Sequence, residues 1–208
     1  MNAAPEVSVV IPVCNEEENV GPLAREIVAA LDGRAFEILF IDDGSTDGTA
    51  AALRALRRDI PQLRMLAHSF RAGQSAAVCT GVRHARAEWI ATLDGDGQND
   101  PADIPALLAA RGAAELVMGN RVQRRDTWLR HAQSRVANGV RGWLLGDGTP
   151  DTGCGIKFLH RETFMDLPRF DHMHRFLPAL ALAAAPHLAG LFQRIGVGRL
   201  SLGLGAVL

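Results

Sequence analysis

A short apolar segment that ends in two acidic residues constrains this chain most. Residues 89–93 are largely apolar and few enough to form one buried strand, and Asp94 and Asp96 follow with one glycine between them. In extended backbone, residues two apart face the same side, so both carboxylates can point at one centre. Their mutual repulsion would be costly without a cation. The segment therefore predicts a Mg²⁺ or Mn²⁺ site, to which Gln98, two residues further on, can add a carbonyl oxygen.

The same Asp-Gly-Asp sequence has a simpler explanation as a surface turn. Asp-Gly pairs are common in turns, and such a turn needs no metal. The strand-like segment that leads directly into the pair favours the metal site over the plain turn.

Strand-like and helix-like segments alternate along residues 7–118. The predicted strands are Val7–Pro12, Phe36–Ile41, Arg64–Ala67, Trp89–Leu93 and Leu116–Met118. The predicted helices are Asn15–Ala30, a helix capped by Asp47 that carries Leu53 and Leu56, and Gln74–Ala85. Because parallel neighbours need crossover connections, this order predicts an α/β fold with a mostly parallel sheet and helices on both faces. A chain of 208 residues, 48% of them hydrophobic, is long enough for one such domain and short for two.

Ligands of open α/β sheets bind beyond the carboxyl ends of the strands. Polar residues that are remote in sequence are therefore expected to gather at one edge, and they are Asn15, Glu16, Asp43, Asp94, Asp96 and Arg121. Asp43 alone could be a turn residue, and Glu16 alone could begin a helix. Independent turns would have little reason to place carboxylates at the same end of the first, second and fourth strands, so the joint placement predicts a binding site.

A nucleotide diphosphate suits an acidic rim that holds a metal, because the cation bridges the phosphates while carboxylates accept hydrogen bonds from the nucleoside. A dinucleotide site would instead require GxGxxG after the first strand, where this chain has PVCNEEEN. A P-loop is also absent from the sequence. Phosphate is therefore expected to be held by the metal.

Charge and cysteine content exclude other classes. The formal net charge of -1 gives no electrostatic case for a nucleic acid partner. The cysteines Cys14, Cys79 and Cys154 are odd in number and widely spaced, which predicts neither a disulfide framework nor a thiolate metal site. The amino-terminal sequence lacks the basic-then-apolar order of a signal peptide, so a reducing cytoplasm is expected.

Six motifs in order resemble a known family: VVIPVCNEEENV, ILFIDDGSTDGTA, AGQSAAV, TLDGDGQNDP, VMGNR and DTGCGIK. This series is similar to that of the family 2 glycosyltransferases with a GT-A type, Rossmann-like fold, in particular their polyprenyl-phosphate branch, which is like dolichol-phosphate mannosyltransferase. The likeness spans about residues 6 to 180, and several motifs in order are more specific than any one of them.

The resemblance implies roles for individual residues. Contacts with the nucleoside are implied for Pro12, Cys14, Glu16, Ile41 and Asp43. Asp94, Gly95 and Asp96 would meet the diphosphate sugar, with Asp96 and Gln98 on the metal. Cys14 stands where the family often has an aromatic residue.

A lipid phosphate acceptor would need no general base, because its oxygen is already anionic near neutral pH and cations can position it. Arg121, and Arg130 with Ser134 one helical turn later, could hold such a phosphate from one side, and the family's acceptor site resembles this arrangement. Arg130 could equally belong to a solvated basic helix face.

The sequence thus predicts a Mg²⁺- or Mn²⁺-dependent enzyme that moves a hexose from a GDP-mannose or UDP-glucose type donor to a polyprenyl phosphate. Its expected location is the cytoplasm, with peripheral contact at the cytoplasmic face of a membrane. Two alternatives stay open: the same donor with a carbohydrate or protein hydroxyl as acceptor, and nucleotide-sugar binding without turnover.

The last 28 residues depart from the family pattern. The family's HRPR-x-x-G-x-SK type segment is missing from residues 181–208, which are low in charge and rich in Ala, Gly and Leu. We therefore expect a catalytic domain over residues 1–180 and an atypical tail, truncated or frameshifted, over residues 181–208. The tail lacks a clean apolar stretch of about 20 residues, so it is not predicted to span a membrane.

Overall fold

The computed structural model describes residues 4–111, 116–121, 156–173, 177, 180 and 193–197. Its strands form one seven-stranded sheet in the order β3-β2-β1-β4-β6-β5-β7. The strands are β1 Val7–Val13, β2 Phe36–Asp42, β3 Leu63–Ala67, β4 Trp89–Thr92, β5 Leu116–Arg121, β6 Lys157–His160 and β7 Gln193–Val197.

The direction of the strands determines which chain ends meet. β1 is parallel to β2 and β4, β2 is parallel to β3, and β5 is parallel to β7. β6 runs antiparallel to both β4 and β5. It follows that β1, β2, β4 and β5 all end at the same side of the sheet, which we call the carboxyl edge.

Helices cover both faces of the sheet, as predicted. They are α1 Glu17–Ala30, α2 Thr49–Asp59, α3 Gln74–His84, α4 Ile104–Ala109 and α5 Arg161–Asp166, and a 3-10 turn over Pro101–Asp103 leads into α4. One buried core contains residues of α1, α2 and α4, and the other contains residues of α3 and of the segment that begins with α5. Successive strand residues alternate between the two cores: Val9 faces the first and Val10 the second. None of the described helices has the length and apolar composition needed to cross a bilayer.

An aromatic contact ties β4 to β6. The rings of Trp89 and Phe158 are stacked with centroids 5.0 Å apart and planes within 2°. Such a pair contributes about 0.5–1.5 kcal/mol beyond its buried area. It helps to fix the position of β4, and hence of the acidic residues that follow this strand.

The structure corrects several sequence-based boundaries. All five predicted strands are present, but β5 continues to Arg121, which was expected to follow the strand. The extension has a physical reason, because Arg121 is paired with Val197 of β7. β6 and β7 were not predicted, and β7 lies within residues 181–208, the expected atypical tail.

Candidate active site at the carboxyl edge

The loops that follow β1 and β2 are joined by hydrogen bonds. Asn15 has a left-handed backbone (φ 59°), which asparagine tolerates better than most residues. Its amide donates to Ser45 Oγ (2.9 Å), its side-chain oxygen accepts from the Thr46 amide (2.8 Å), and the Glu16 amide donates to Thr49 Oγ1 (2.9 Å). The two loops therefore form one connected wall at the carboxyl edge.

Asp43 is buried beside this wall, with 3% of its surface exposed. Its Oδ1 lies 2.7 Å from His68 Nδ1 and accepts from the Ala72 amide (2.8 Å), while Oδ2 accepts from the Gly73 amide (2.7 Å). Burial by itself raises the pKa of the Asp43 carboxyl. The hydrogen bonds from His68, Ala72 and Gly73, together with the charge of His68, outweigh burial and hold this pKa below its ordinary value.

His68 connects Asp43 to α3. Its second ring nitrogen, Nε2, lies 3.0 Å from Thr80 Oγ1 on α3. Sequence reasoning did not identify His68, although a histidine directly after a predicted strand of this sheet is a signal for the ligand edge.

Asp94 and Asp96 lie in a turn that follows β4. The chain does not stay extended here as predicted: it turns at Gly95 and Asp96, Gly97 adopts a positive φ of 69°, and Asp96 Oδ1 accepts from the Gln98 amide (3.0 Å). This local hydrogen bond stabilises the turn against continued extended backbone. Extended alternation is therefore the wrong reason for expecting both carboxylates on one side.

Gly95 lets this turn lie directly against β1. A Cβ at Gly95 would come within 2.6 Å of Val13 Cγ1 and 2.8 Å of the Pro12 carbonyl oxygen. Such distances would force the backbone of the turn away from β1. The glycine thus brings Asp94 and Asp96 close to the end of β1.

A small, partly open recess adjoins Asp94. It is lined by Pro12, Gln74, Val78, Thr92, Leu93, Asp94, Lys157 and Leu177. Gln74 Nε2 donates to Asp94 Oδ1 (2.8 Å), and Lys157 is a buried residue of the same lining. Neither Gln74 nor Lys157 was singled out from the sequence.

The donor set fits a divalent cation that arrives with a polyphosphate. Asp94 is half-buried and Asp96 is exposed, so carboxylate oxygens face the edge. No group of three or more His, Cys, Asp or Glu side chains able to hold a metal occurs among the described residues. Mg²⁺ characteristically binds through one or two carboxylates and completes its shell with water and substrate phosphates, so a larger protein cage is not required.

The remaining predicted nucleoside residues lie along the same edge. Pro12 and Ile41 are buried near the ends of β1 and β2, and Cys14 is half-buried directly after β1. Glu16 Oε2 accepts from Asn19 Nδ2 (2.6 Å), so this carboxylate is engaged within its own helical turn. The direct contacts predicted for these residues stay predictions.

The predicted acceptor residues are only partly covered. Arg121 is the last residue of β5, so its backbone lies at the carboxyl edge. Arg130 and Ser134 lie outside the described residues.

Comparison with known proteins identifies the family. A family model described as "Glycosyl transferase family 2" matches residues 8–167. The chain belongs to glycosyltransferase family 2. This confirms the resemblance seen in the motifs.

Two curated relatives of this family 2 glycosyltransferase have names that state a polyprenyl phosphate. A dodecaprenyl-phosphate galacturonate synthase of Rhizobium johnstonii is 37% identical over 187 residues, covering 87% of this chain and 55% of the relative. An undecaprenyl-phosphate 4-deoxy-4-formamido-L-arabinose transferase of Edwardsiella ictaluri is 34% identical over 179 residues, covering 84% of this chain and 55% of the relative. The chain thus spans about half the length of these relatives.

Solved structures share the fold. Glucosyl-3-phosphoglycerate synthase of Mycobacterium tuberculosis, in complex with Mn²⁺, UDP and glucosyl-3-phosphoglycerate, superposes with a TM-score of 0.73 at 18% identity, over 96% of this chain and 72% of that one. A mannosyltransferase of Pyrobaculum calidifontis in complex with GDP-Man and Mn²⁺ superposes with a TM-score of 0.63 at 22% identity. This superposition covers 95% of this chain and 56% of the mannosyltransferase. The predicted GT-A type fold is confirmed.

Proposed function

We propose that this family 2 glycosyltransferase moves a sugar from a nucleotide diphosphate sugar to a polyprenyl phosphate. One observation carries the proposal: the ends of β1, β2 and β4, and with them the predicted nucleoside residues and the Asp94–Asp96 turn, lie at the same edge of the sheet. Support for the acceptor comes from the two relatives, whose names state polyprenyl phosphates.

The donor would bind with its nucleoside along the ends of β1 and β2. Pro12, Cys14, Glu16, Ile41 and Asp43 are the proposed contacts. Asp43 already accepts three hydrogen bonds, which leaves about one of its four lone-pair sites for the base. GDP-mannose and UDP-glucose are the proposed donor types, and the solved neighbours were crystallised with UDP or GDP-Man.

The diphosphate would lie against the turn after β4. Asp94, Asp96 and Gln98 are the residues that would hold Mg²⁺ or Mn²⁺, with Gly95 allowing close approach to the diphosphate sugar. When bound, the cation neutralises charge on the departing diphosphate. The role of the protein's own residues is to hold the carboxylate oxygens in position before the donor binds.

The acceptor phosphate would be held by Arg121, Arg130 and Ser134. Its oxygen is already anionic, so the protein needs to position it and not to remove a proton. In agreement with this, His68 at the carboxyl edge is engaged by Asp43 and Thr80 and is poorly placed to serve as a base for a hydroxyl acceptor. The proposed location is cytoplasmic, with peripheral contact at the cytoplasmic face of the membrane that carries the lipid.

Calorimetry and a transfer assay on the same sample test the proposal. We expect UDP- or GDP-sugar to bind in the presence of Mg²⁺ and not after chelation, and we expect sugar to appear on a polyprenyl phosphate. Transfer to a sugar or protein hydroxyl would support the alternative acceptor, and binding without transfer or hydrolysis would support a non-catalytic domain. Binding that is unchanged by the chelator would contradict the metal site.

A further inference from the structure

Gln74 is the point at which α3 meets the acidic turn. It is the first residue of α3, and its Nε2 donates to Asp94 Oδ1 over 2.8 Å. An ionised carboxylate can only accept hydrogen bonds, so the amide nitrogen must face Asp94 and the assignment of the amide is determined. The contact therefore restrains one oxygen of Asp94.

Contacts with Asp43 in turn fix the backbone that directly precedes Gln74. Gly73, directly before α3, has a φ of 97°, a conformation that favours glycine, and its amide donates to Asp43 Oδ2. The Ala72 amide and His68 bind the other oxygen of Asp43, and His68 also contacts Thr80 one and a half turns into α3. We call this set of contacts, made by Asp43, His68, Thr80 and the amides of Ala72 and Gly73, the loop latch.

Packing fixes the loop on its other side. A Cβ at Gly44 would lie 2.7 Å from the Arg71 amide nitrogen and 2.7 Å from the Phe70 carbonyl carbon, so the loop lies directly against the residue after Asp43. The loop latch and this close contact together leave the start of α3 little freedom. A continuous series of contacts thus runs from Asp43 through Gly73 and Gln74 to Asp94.

We propose that Gln74 is a positioning residue that orients Asp94 for a divalent cation, and that the loop latch positions Gln74. The inference rests on the proposed function, because it assigns the cation to Asp94. It gives Asp43 and His68 a role in holding the metal ligand, in addition to any contact that Asp43 makes with the nucleoside. Partners that orient metal ligands in this way typically change metal affinity by 10–100-fold when they are removed.

The test is Mn²⁺ titration of the full chain by electron paramagnetic resonance, with and without UDP or GDP. Gln74→Met keeps the length of the side chain and removes the donor, and we expect Mn²⁺ affinity to fall about tenfold. Gln62→Met is the matched control, because Gln62 is an exposed glutamine that precedes β3 at the opposite edge. Thermal unfolding of both variants should match that of the unaltered chain, since both side chains are exposed.

A double-mutant cycle tests the loop latch. If His68 acts through Gln74, the double variant His68→Leu with Gln74→Met should bind Mn²⁺ as Gln74→Met does, so the two losses should not add. His68→Asn, which keeps an N–H toward Asp43, should retain most of the affinity, and a loss as large as that of Gln74→Met would contradict the loop latch.

The outcomes separate the two proposals. Mn²⁺ affinity within twofold of the unaltered chain in Gln74→Met, or an equal loss in Gln62→Met, would overturn the role of Gln74. Additive losses in the cycle, or unchanged Mn²⁺ affinity in His68→Leu, would overturn the role of the loop latch. Failure of the unaltered chain to bind Mn²⁺ with either nucleotide would overturn the proposed metal site and this inference together, whereas the proposed sugar transfer is judged by the transfer assay.

Discussion

Glu37 and Asp96, at the two edges of the sheet, differ in burial and in hydrogen bonding. At the opposite, amino edge, where β1, β2 and β4 begin, Glu37 of β2 is 4% exposed. Its Oε1 accepts hydrogen bonds from Ser8 Oγ (2.7 Å) and from the Arg86 amide (2.6 Å). Its Oε2 accepts one from Arg64 Nη1 (2.7 Å). At the carboxyl edge, Asp96 is exposed and its one described hydrogen bond is to the amide of its own turn. A carboxylate satisfied by the chain stabilises the fold, whereas one left facing solvent is available to a ligand.

Asp43 shows that position alone does not separate the two classes. It lies at the ligand edge, yet it is as buried and as fully hydrogen-bonded as Glu37. A carboxylate of this kind contributes to the site chiefly by fixing its neighbours. The comparison therefore predicts that Glu37 chiefly affects stability and that Asp96 chiefly affects metal binding.

The largest expected effect is on stability, at the amino edge. Glu37→Ala removes the partner of Arg64 and leaves Ser8 and a backbone amide unsatisfied, which should lower the free energy of unfolding by about 4 kcal/mol. Urea denaturation measures this change. Glu26→Ala, at an exposed position on α1, should change it by less than about 0.5 kcal/mol. Equal stability of the two variants would contradict the structural role of Glu37.

The next effect is on binding, at the carboxyl edge. Asp96→Ala removes an exposed proposed metal ligand, and we expect Mn²⁺-dependent nucleotide affinity to fall at least about 100-fold, or about 2.8 kcal/mol. Stability should change by no more than about 1.5 kcal/mol, because the side chain is exposed and loses one local hydrogen bond. Calorimetry with UDP and GDP measures the affinity, with Asp32→Ala, at an exposed position after α1, as control. Undiminished affinity in Asp96→Ala would remove this residue from the metal site.

The sequence was most informative where a local pattern is characteristic of one structure, such as an apolar strand that ends in acidic residues. The strand that leads into Asp94 was sufficient to place Asp94 and Asp96 at the carboxyl edge, although the turn at Gly95 replaces the extended backbone that was predicted there. The order of the motifs was sufficient to predict the family. The alternation of strands and helices could not reveal β6, because an antiparallel strand needs no crossover helix and a four-residue segment carries little pattern of its own.

The contacts that organise the site were harder to predict, for a different reason. His68 and Gln74 act through partners that are remote in sequence: His68 meets Asp43 25 residues away, and Gln74 meets Asp94 20 residues away. Neither distance corresponds to a helical or strand period, so no local pattern marks these pairs. These two contacts can be predicted only once the order of the strands in the sheet is known.

The smallest expected effect is the pH dependence of stability that comes from Asp43. Its pKa is lowered in the folded protein, so its ionised form stabilises the fold at pH values above the ordinary carboxyl pKa of about 3.9, and this contribution is lost as the pH falls through the folded pKa. Burial opposes the hydrogen bonds from His68, Ala72 and Gly73, which keeps the net effect small. Denaturation of the unaltered chain and of Asp43→Asn between pH 7 and pH 3 measures it, because the other carboxylates titrate alike in both. We expect the difference in free energy of unfolding to narrow below about pH 4, where Asp43 of the unaltered chain becomes protonated. A difference that stays constant down to pH 3 would mean that the ionisation of Asp43 is not coupled to folding.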